Sequence, residues 1–237
     1  MNLLIVYAHP EPTSFNAALR DAAAAAAREA GHEVTVSDLY GEGFGAVAGR
    51  SDFLEQADSS RFHYQTEQAH AAATGTFAQD VAREQERVRH ADVIVFQFPL
   101  WWGGPPAILK GWIDRVLAYG FAYVDGRRFD TGFLKGRRGL LCVTTGGTPE
   151  RFSPEGVYGP IEAVLYPVQR LALQYMGLTT EEPFVCYGTP RIDEAGRRDY
   201  LAAWRQRVLD TLAKPVERTP LPEPGNDLDE RPWERRR

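Results

Sequence analysis

Apolar residues fall into short runs separated by longer stretches with a helical period. Residues 3–8, 93–98, 139–145 and 183–187 form the runs, and the first three lack the polar alternation of a half-exposed sheet, as strands covered on both faces should. Residues 34–36 add a shorter strand. Helical segments are expected at 14–30, about 77–90, 106–119, 160–176 and 194–212, with Gly31 as the stop signal after the first. The alanine run at 22–27 is simply strong helix-forming sequence. Strand and helix in strict alternation predict an α/β fold, a parallel sheet with helices on both faces. In such sheets ligands sit beyond the carboxyl ends of the strands, where strand order reverses.

Two segments depart from this pattern. Residues 41–76 read as a long, weakly apolar connection with FHYQTEQ in its middle, and connections of that length are usually functional. Residues 214–237 are rich in proline and charge; they are expected to lie extended on a surface or to be disordered, outside a domain formed by residues 1–213.

Composition narrows the classes. The 237 residues are 43% hydrophobic and 25% charged, ordinary for a soluble globular chain. A net charge of -5 argues against a nucleic-acid partner. The opening MNLLIVYAHPEP has no basic leader region, and no run approaches the roughly 20 apolar residues of a membrane span, so a cytoplasmic protein without membrane insertion is expected. The two cysteines, Cys142 and Cys186, each lie in or beside a predicted strand, which suggests neither a disulfide framework nor a metal site.

Chemistry concentrates in three loops that the architecture puts on one sheet edge. In AHPEPTSFN, residues 8–16, Ser14 or Thr13 can cap a helix whose free amides suit a phosphate, with His9 as a further donor; a plain helix cap explains the same residues. In PLWWGG, residues 99–104, Pro99 ends a strand ladder, Gly103 and Gly104 admit a ring close to the backbone, and a tryptophan offers an apolar plate; two core aromatics beside a turn are the alternative. If the stretch is extended, Trp101 and Trp102 point to opposite sides. In TTGGTPERFSPEGVYG, residues 144–159, Thr144 and Thr145 end a strand while Gly146 and Gly147 bare their amides toward developing negative charge, or simply make a turn. Neither GxGxxG after the first strand nor GxxxxGK[ST] occurs. An anion site, an aromatic plate and free amides together describe a flavin nucleotide site.

These residues resemble the NAD(P)H:quinone oxidoreductases of DT-diaphorase type, in particular their shorter bacterial members. AHPEPTSFN, SDLYGEGF, FHYQTE, FQFPLWWGGPPAILKGWIDRVLAYGFAY, TTGGTPERFSPEGVYG and GRRDYLAAW match in collinear order over nearly all of residues 1–212. The resemblance implies a flavodoxin-like three-layer fold, a five-stranded parallel sheet in order 2-1-3-4-5, FAD rather than FMN, NADH or NADPH as hydride donor, and a homodimer with sites at the subunit interface. It puts His9, Thr13, Ser14, Phe15 and Asn16 at the pyrophosphate and adenosine side, with Arg197 near the adenosine end. Pro99, Leu100, Trp102 and Gly103 line the ring, and Thr144, Thr145, Gly146 and Gly147 its pyrimidine edge. Trp101 turns away toward packing or the interface, at the margin of the cofactor set. His63 stands where the family often has a glutamine that reaches the cofactor. Tyr123 matches a tyrosine that the second subunit contributes to the substrate pocket, and Asp125 replaces the next one. Phe152 and Tyr158 stand where better-known members use a tyrosine and a histidine to stabilise charge on the reduced ring. Phe152 cannot donate a hydrogen bond, so Tyr158 and the amides of Gly146 and Gly147 are expected to do so. The activity implied is a two-step hydride relay from NAD(P)H through flavin to a quinone. Azo, nitro or biosynthetic quinonoid acceptors, or a regulatory role beside a potassium efflux system, would use the same scaffold.

Overall fold

The computed structural model describes residues 1–222. Its strands are β1 (Asn2–Tyr7), β2 (Glu33–Asp38), β3 (Val93–Pro99), β4 (Arg138–Thr144), β5 (Thr179–Thr180) and β6 (Phe184–Cys186). They form a parallel sheet in the order β2-β1-β3-β4-β5, with β6 also on β4. The predicted order therefore holds, but the edge strand comes in two pieces. Thr179 and Thr180 lie beside the start of β4 and Phe184 to Cys186 beside its end. Pro183, between them, has no N–H to give to the ladder.

Helices α1 (Phe15–Glu29) and α6 (Glu194–Leu212) cover one face, while α2 (Tyr64–Thr74), α3 (Gln79–His90), α4 (Ala107–Val116) and α5 (Ile161–Val168) cover the other. The two-residue period of the strands separates the cores. Leu3, Ile5, Val93, Val95, Leu140 and Cys142 pack on Trp204 and the alanines of α1. Leu4, Val6, Ile94, Phe96, Leu141 and Val143 pack on the opposite group, around Trp112 and Leu165. Both cysteines are free and buried, and burial pushes the Cys186 thiol up to about 12.

Residues 41–76 are more ordered than their pattern suggests, for they contain α2. His63 caps its start and Gly75, at φ 73, ends it. Its buried side includes Glu67 and Gln68, which is why no apolar stripe announces it. Glu67 accepts from the Ala57 N–H at 2.7 Å, and Gln68 accepts from the Tyr119 N–H at 3.2 Å. The preceding stretch is held by buried Arg115, which donates to Asp52 at 2.9 Å and to the Gly45 carbonyl at 2.8 Å and pairs with Asp80 at 2.8 Å. Tyr64 completes this network by donating to Asp52 at 2.6 Å.

The helix expected over 160–176 leaves α-geometry at Val168 and continues as a π-helical stretch, Gln169–Gln174. Pro167, lacking an N–H, breaks the regular ladder just before that change. The helix expected over 106–119 stops at Val116. Residues 214–222 run along the sheet's amino-terminal edge: Glu217 N–H donates to the Gly136 carbonyl at 3.0 Å, Thr219 N–H to the Lys135 carbonyl at 3.2 Å, and Leu221 is buried. A side chain at Gly136 would start 1.7 Å from the Glu217 carbonyl oxygen, so glycine is required there. The rest of the predicted tail, 223–237, lies outside the described residues. Among the described residues no helix is long and apolar enough to cross a membrane, and no cluster of His, Cys, Asp or Glu is placed to hold a metal ion.

Candidate functional site

The carboxyl ends of β1, β3 and β4 lie side by side, so the three loops share one edge as expected. After β1, Ser14 caps α1 by accepting from the Ala17 N–H at 3.1 Å. Thr13 instead turns its N–H and hydroxyl to Glu11, at 2.9 and 2.6 Å, in an exposed local turn. His9 accepts the Glu11 N–H on Nδ1 at 3.0 Å, which leaves Nε2 as its outward donor. Burial holds the His9 pKa below the ordinary imidazole value, which favours the neutral ring.

Asn16, in the first turn of α1, is buried and donates to the Thr144 hydroxyl at 2.7 Å. Gln97, fully buried in β3, donates to the Asn16 carbonyl. Their register explains the triad: positions 97 and 144 face α1, as do Val95 and Cys142. Thr144 is thereby committed beneath the edge. Gln97 is missing from the residues expected at the site, although it is the single polar residue in VIVFQF and so carries a usable signal. At the first position of α1, Phe15 meets Tyr200 edge-on at 6.5 Å, and the Arg197 guanidinium lies 6.0 Å from the Phe15 ring.

The second loop departs from expectation. PLWWGG is not extended: Trp101 and Gly104 exchange N–H···O bonds at 2.9 and 3.0 Å, closing a two-residue turn. Both central residues have positive φ, Trp102 at 51° and Gly103 at 73°, the signature of a type I′ turn. The rule that neighbours point to opposite sides therefore does not apply. Trp101, partly exposed, faces His9 with ring centres 6.3 Å apart, while Trp102 stands wholly in solvent at 105% relative exposure. No atom would obstruct a Cβ at Gly103 or Gly104, so the turn is open around them. Pro99 ends β3, and the Leu100 N–H reaches the Thr144 carbonyl at 2.8 Å, which ties this loop to the third.

In the third loop the two glycines differ. The Gly147 amide is buried and donates to the Thr145 hydroxyl at 3.1 Å, so it is not the free donor expected. Gly146 is exposed, and among the described residues no acceptor takes its N–H. Phe152 is buried against Gly147, with Tyr158 at 5.0 Å and Tyr187 at 6.0 Å between ring centres. Tyr158 itself is half-exposed. A fourth element, the turn between β6 and α6, stitches this loop from outside. Gly188 N–H donates to the Gly147 carbonyl at 2.9 Å, Thr189 N–H to the Thr145 carbonyl at 3.0 Å, and Arg191 to the Gly146 carbonyl. Nothing in the sequence pattern singles out Arg191.

His63 and Tyr123 join neither the plate nor the amides. They line a separate open cavity of about 650 Å³ with Tyr64, Gln68, Asp114, Tyr175 and Leu171, and no residue of the three loops borders it. Asp125 is exposed and pairs with Arg128 at 2.9 Å.

The donor set of the carboxyl edge fits a nucleotide-linked planar ring. The helix start and His9 suit an anion, the open glycine turn and a tryptophan suit a flat face, and the Gly146 N–H suits an electron-rich edge. Asn16 Oδ1 and Gln97 Oε1, beneath the edge, are buried without a hydrogen-bond partner among the described residues. The chain is similar to several known proteins. Rat NAD(P)H dehydrogenase [quinone] 1 is 40% identical over 206 residues, 86% of this chain and 75% of the rat protein. Ribosyldihydronicotinamide dehydrogenase [quinone] of Pongo abelii is 41% identical over 213 residues, 90% of this chain and 92% of its own length. A Klebsiella pneumoniae structure, solved as a proposed quinone reductase, superposes with a TM-score of 0.87 at 42% identity, covering 91% of this chain and 86% of that one. A family profile described as "Flavodoxin-like fold" matches residues 1–208, and the chain belongs to that family.

Proposed function

We propose that the chain is an NAD(P)H:quinone oxidoreductase that holds FAD at the carboxyl edge and lets reduced nicotinamide and quinone occupy one place in turn. The observation that carries this reading is the convergence, on one edge, of a helix start, an open Trp-Gly turn and the exposed Gly146 amide. Its relatives at about 40% identity, named as quinone dehydrogenases, support it. A bound flavin would supply the redox chemistry, hydride transfer between nicotinamide and quinone.

The residues of the chain bind, orient and polarise. The free amides at the start of α1 and His9 take the pyrophosphate, with Phe15 and Arg197 toward the adenosine. Pro99, Leu100 and the Trp102–Gly103 turn form the platform on which planar substrates stack, and holding them in contact supplies most of the protein's share of catalysis. The Gly146 N–H hydrogen-bonds the pyrimidine edge. Tyr158 adds a neutral phenol donor beside buried Phe152, and removal of such a donor costs on the order of 2.7 to 4 kcal/mol where a site depends on it.

The enzyme works as a cytoplasmic homodimer. The exposed Trp102 and the open cavity with Tyr123 and His63 are two halves of a site that one chain does not join. A second copy brings its cavity over the plate, and Asp125 gives that wall a polar rim.

The test begins with the flavin released from purified protein and continues with steady-state kinetics over a panel of quinone and azo acceptors with both nicotinamides. FAD, parallel double-reciprocal lines and quinone preference are expected. Intersecting lines remove the shared-place mechanism, and a protein that takes up neither FAD nor FMN removes the reading as a whole.

A further inference from the structure

The turn between β6 and α6 carries a charge against the third loop of the candidate site. It is bonded to the third loop at four points: Gly188 N–H to the Gly147 carbonyl, Thr189 N–H and Thr189 hydroxyl to the Thr145 carbonyl, and Arg191 to the Gly146 carbonyl. Gly188, at φ 62, makes the reversal that lets the chain return over Thr145 to Gly147. The turn is anchored at its far end as well, because Asp193 caps α6 by accepting from the Gly196 N–H at 2.8 Å. Arg191 therefore stands on a braced segment beside the one exposed amide of the TTGG turn.

Its acceptor is informative. A guanidinium on the Gly146 carbonyl fixes the peptide plane that precedes Gly147, and it holds a permanent positive charge within one residue of the Gly146 N–H. Thr144, Thr145 and Gly147, the loop residues flanking Gly146, are uncharged, and the loop's own arginine, Arg151, is exposed five residues farther on in the Pro149–Phe152 turn. A hydride brings two electrons and one proton, so its arrival on an isoalloxazine leaves one negative charge that no proton accompanies. That charge resides at the pyrimidine end. Charge placed near that end is one of the ways in which a protein tunes a flavin.

Resting on the proposed flavin reading, we propose that Arg191 is a positioning and tuning residue: it fixes the Gly146–Gly147 peptide next to the exposed Gly146 N–H and supplies the positive charge that stabilises the reduced ring. A nearby opposite charge moves such equilibria by a factor of about ten or more, and the exposure of Arg191 places it at the lower end of that range. Exposure also makes the effect sensitive to salt.

Flavin-loaded parent, Arg191→Gln, Arg191→Ala and Arg191→Lys are titrated anaerobically against reference dyes at low and high ionic strength. Gln keeps an N–H donor for the Gly146 carbonyl without the charge, and Lys keeps the charge without the fork. Gln and Ala are expected to lose about tenfold in preference for the reduced over the oxidised ring, a fall of about 30 mV for a two-electron couple. Lys should stay near the parent, and the gap should narrow as salt rises. If Gln equals the parent, or Lys falls as far as Gln, charge is not the agent and the proposal is overturned. A parent without flavin defeats the proposed function, whereas a flavin-bearing parent whose potential no variant moves defeats the role of Arg191 alone.

Discussion

Gly111 sits inside α4, within the run PAILKGW, where helix propensity alone favours replacement: Gly→Ala in a helix interior usually gains about 1 kcal/mol. The structure predicts the opposite sign. A Cβ at Gly111 would lie 2.0 Å from the Ala46 carbonyl oxygen and 2.6 Å from its carbonyl carbon and Cα, against an ordinary contact distance of 3.4 Å or more. The gap must therefore open by about 1.4 Å, and the obstacle is backbone rather than a side-chain tip. Nor is that backbone free to move. Arg115 holds the neighbouring Gly45 carbonyl at 2.8 Å, its guanidinium lies 4.7 Å from the Phe44 ring, and it is itself fixed by Asp52 and Asp80. Overpacking of a closed contact costs about 1–3 kcal/mol, and a rigid obstacle belongs at the upper end. Setting about 3 against the propensity gain of about 1 leaves a net loss near 2 kcal/mol. At about 2–4 °C per kcal/mol for a chain of this size, the Gly111→Ala midpoint should fall by about 4–8 °C. Thermal scans followed by circular dichroism, with a urea series to verify an unchanged slope, measure it. A midpoint equal to or above the parent's would show that the close approach of residues 44–46 to α4 is not what this glycine serves.

Two further predictions concern the edge of the sheet. Trp102→Ala should lower quinone turnover far more than Trp101→Ala, while the fold stability of a single chain changes by no more than about 0.5 kcal/mol because Trp102 packs against none of the described residues; equal kinetic effects would mean that the two rings do not divide the work. Glu181 is opposed by burial, yet Lys214 and Arg138, the latter at 2.9 Å, outweigh it and hold its carboxyl below the ordinary 4.5. A lowered native pKa adds stability above 4.5 that disappears as pH falls through the native value, so Glu181→Gln should lower the melting midpoint at pH 7 and match the parent near pH 3; a pH-independent difference would refute the ion-pair account.

The sheet is legible in the sequence because its signals are local. Apolar runs at β1, β3 and β4, broken in β3 only by Gln97 and each followed by a helical period, determine a parallel order with few alternatives. The helix α2 is not, since its buried side is stabilised by polar pairing of Glu67 and Gln68 rather than by an apolar stripe. In the site, Ser14 as helix cap and Gly146 as an open amide can be read from residue type and position. The conformation of WWGG cannot. Tryptophan gives no warning of a positive φ, and the strand that precedes it favours continuing the extended backbone. The split between Gly146 and Gly147 depends on one hydroxyl, Thr145 Oγ1, and Arg191 comes from a turn more than forty residues downstream. Contacts of that kind exist only after the chain has folded.

The geometry at Trp102 needs a cause. An L-residue in the left-handed region gives up about 1–2 kcal/mol, and glycine or asparagine would occupy a type I′ turn at less cost. Among the described residues nothing offsets that loss, for the indole is wholly solvent-exposed. A strained residue with no compensating packing is a mark of selection for presentation rather than stability. What is presented is an apolar plate at the mouth of an edge whose other members, His9, Asn16 and Gly146, are polar and fixed. In the proposed dimer that plate is covered in turn by substrate and by the partner's tyrosine-lined cavity. The strain is then offset at assembly, where burial of an aromatic surface stabilises by about 25 cal/mol per Å². The neighbouring Trp101 serves differently, for its ring faces His9 inside the chain and braces the first loop whether or not a second copy is present.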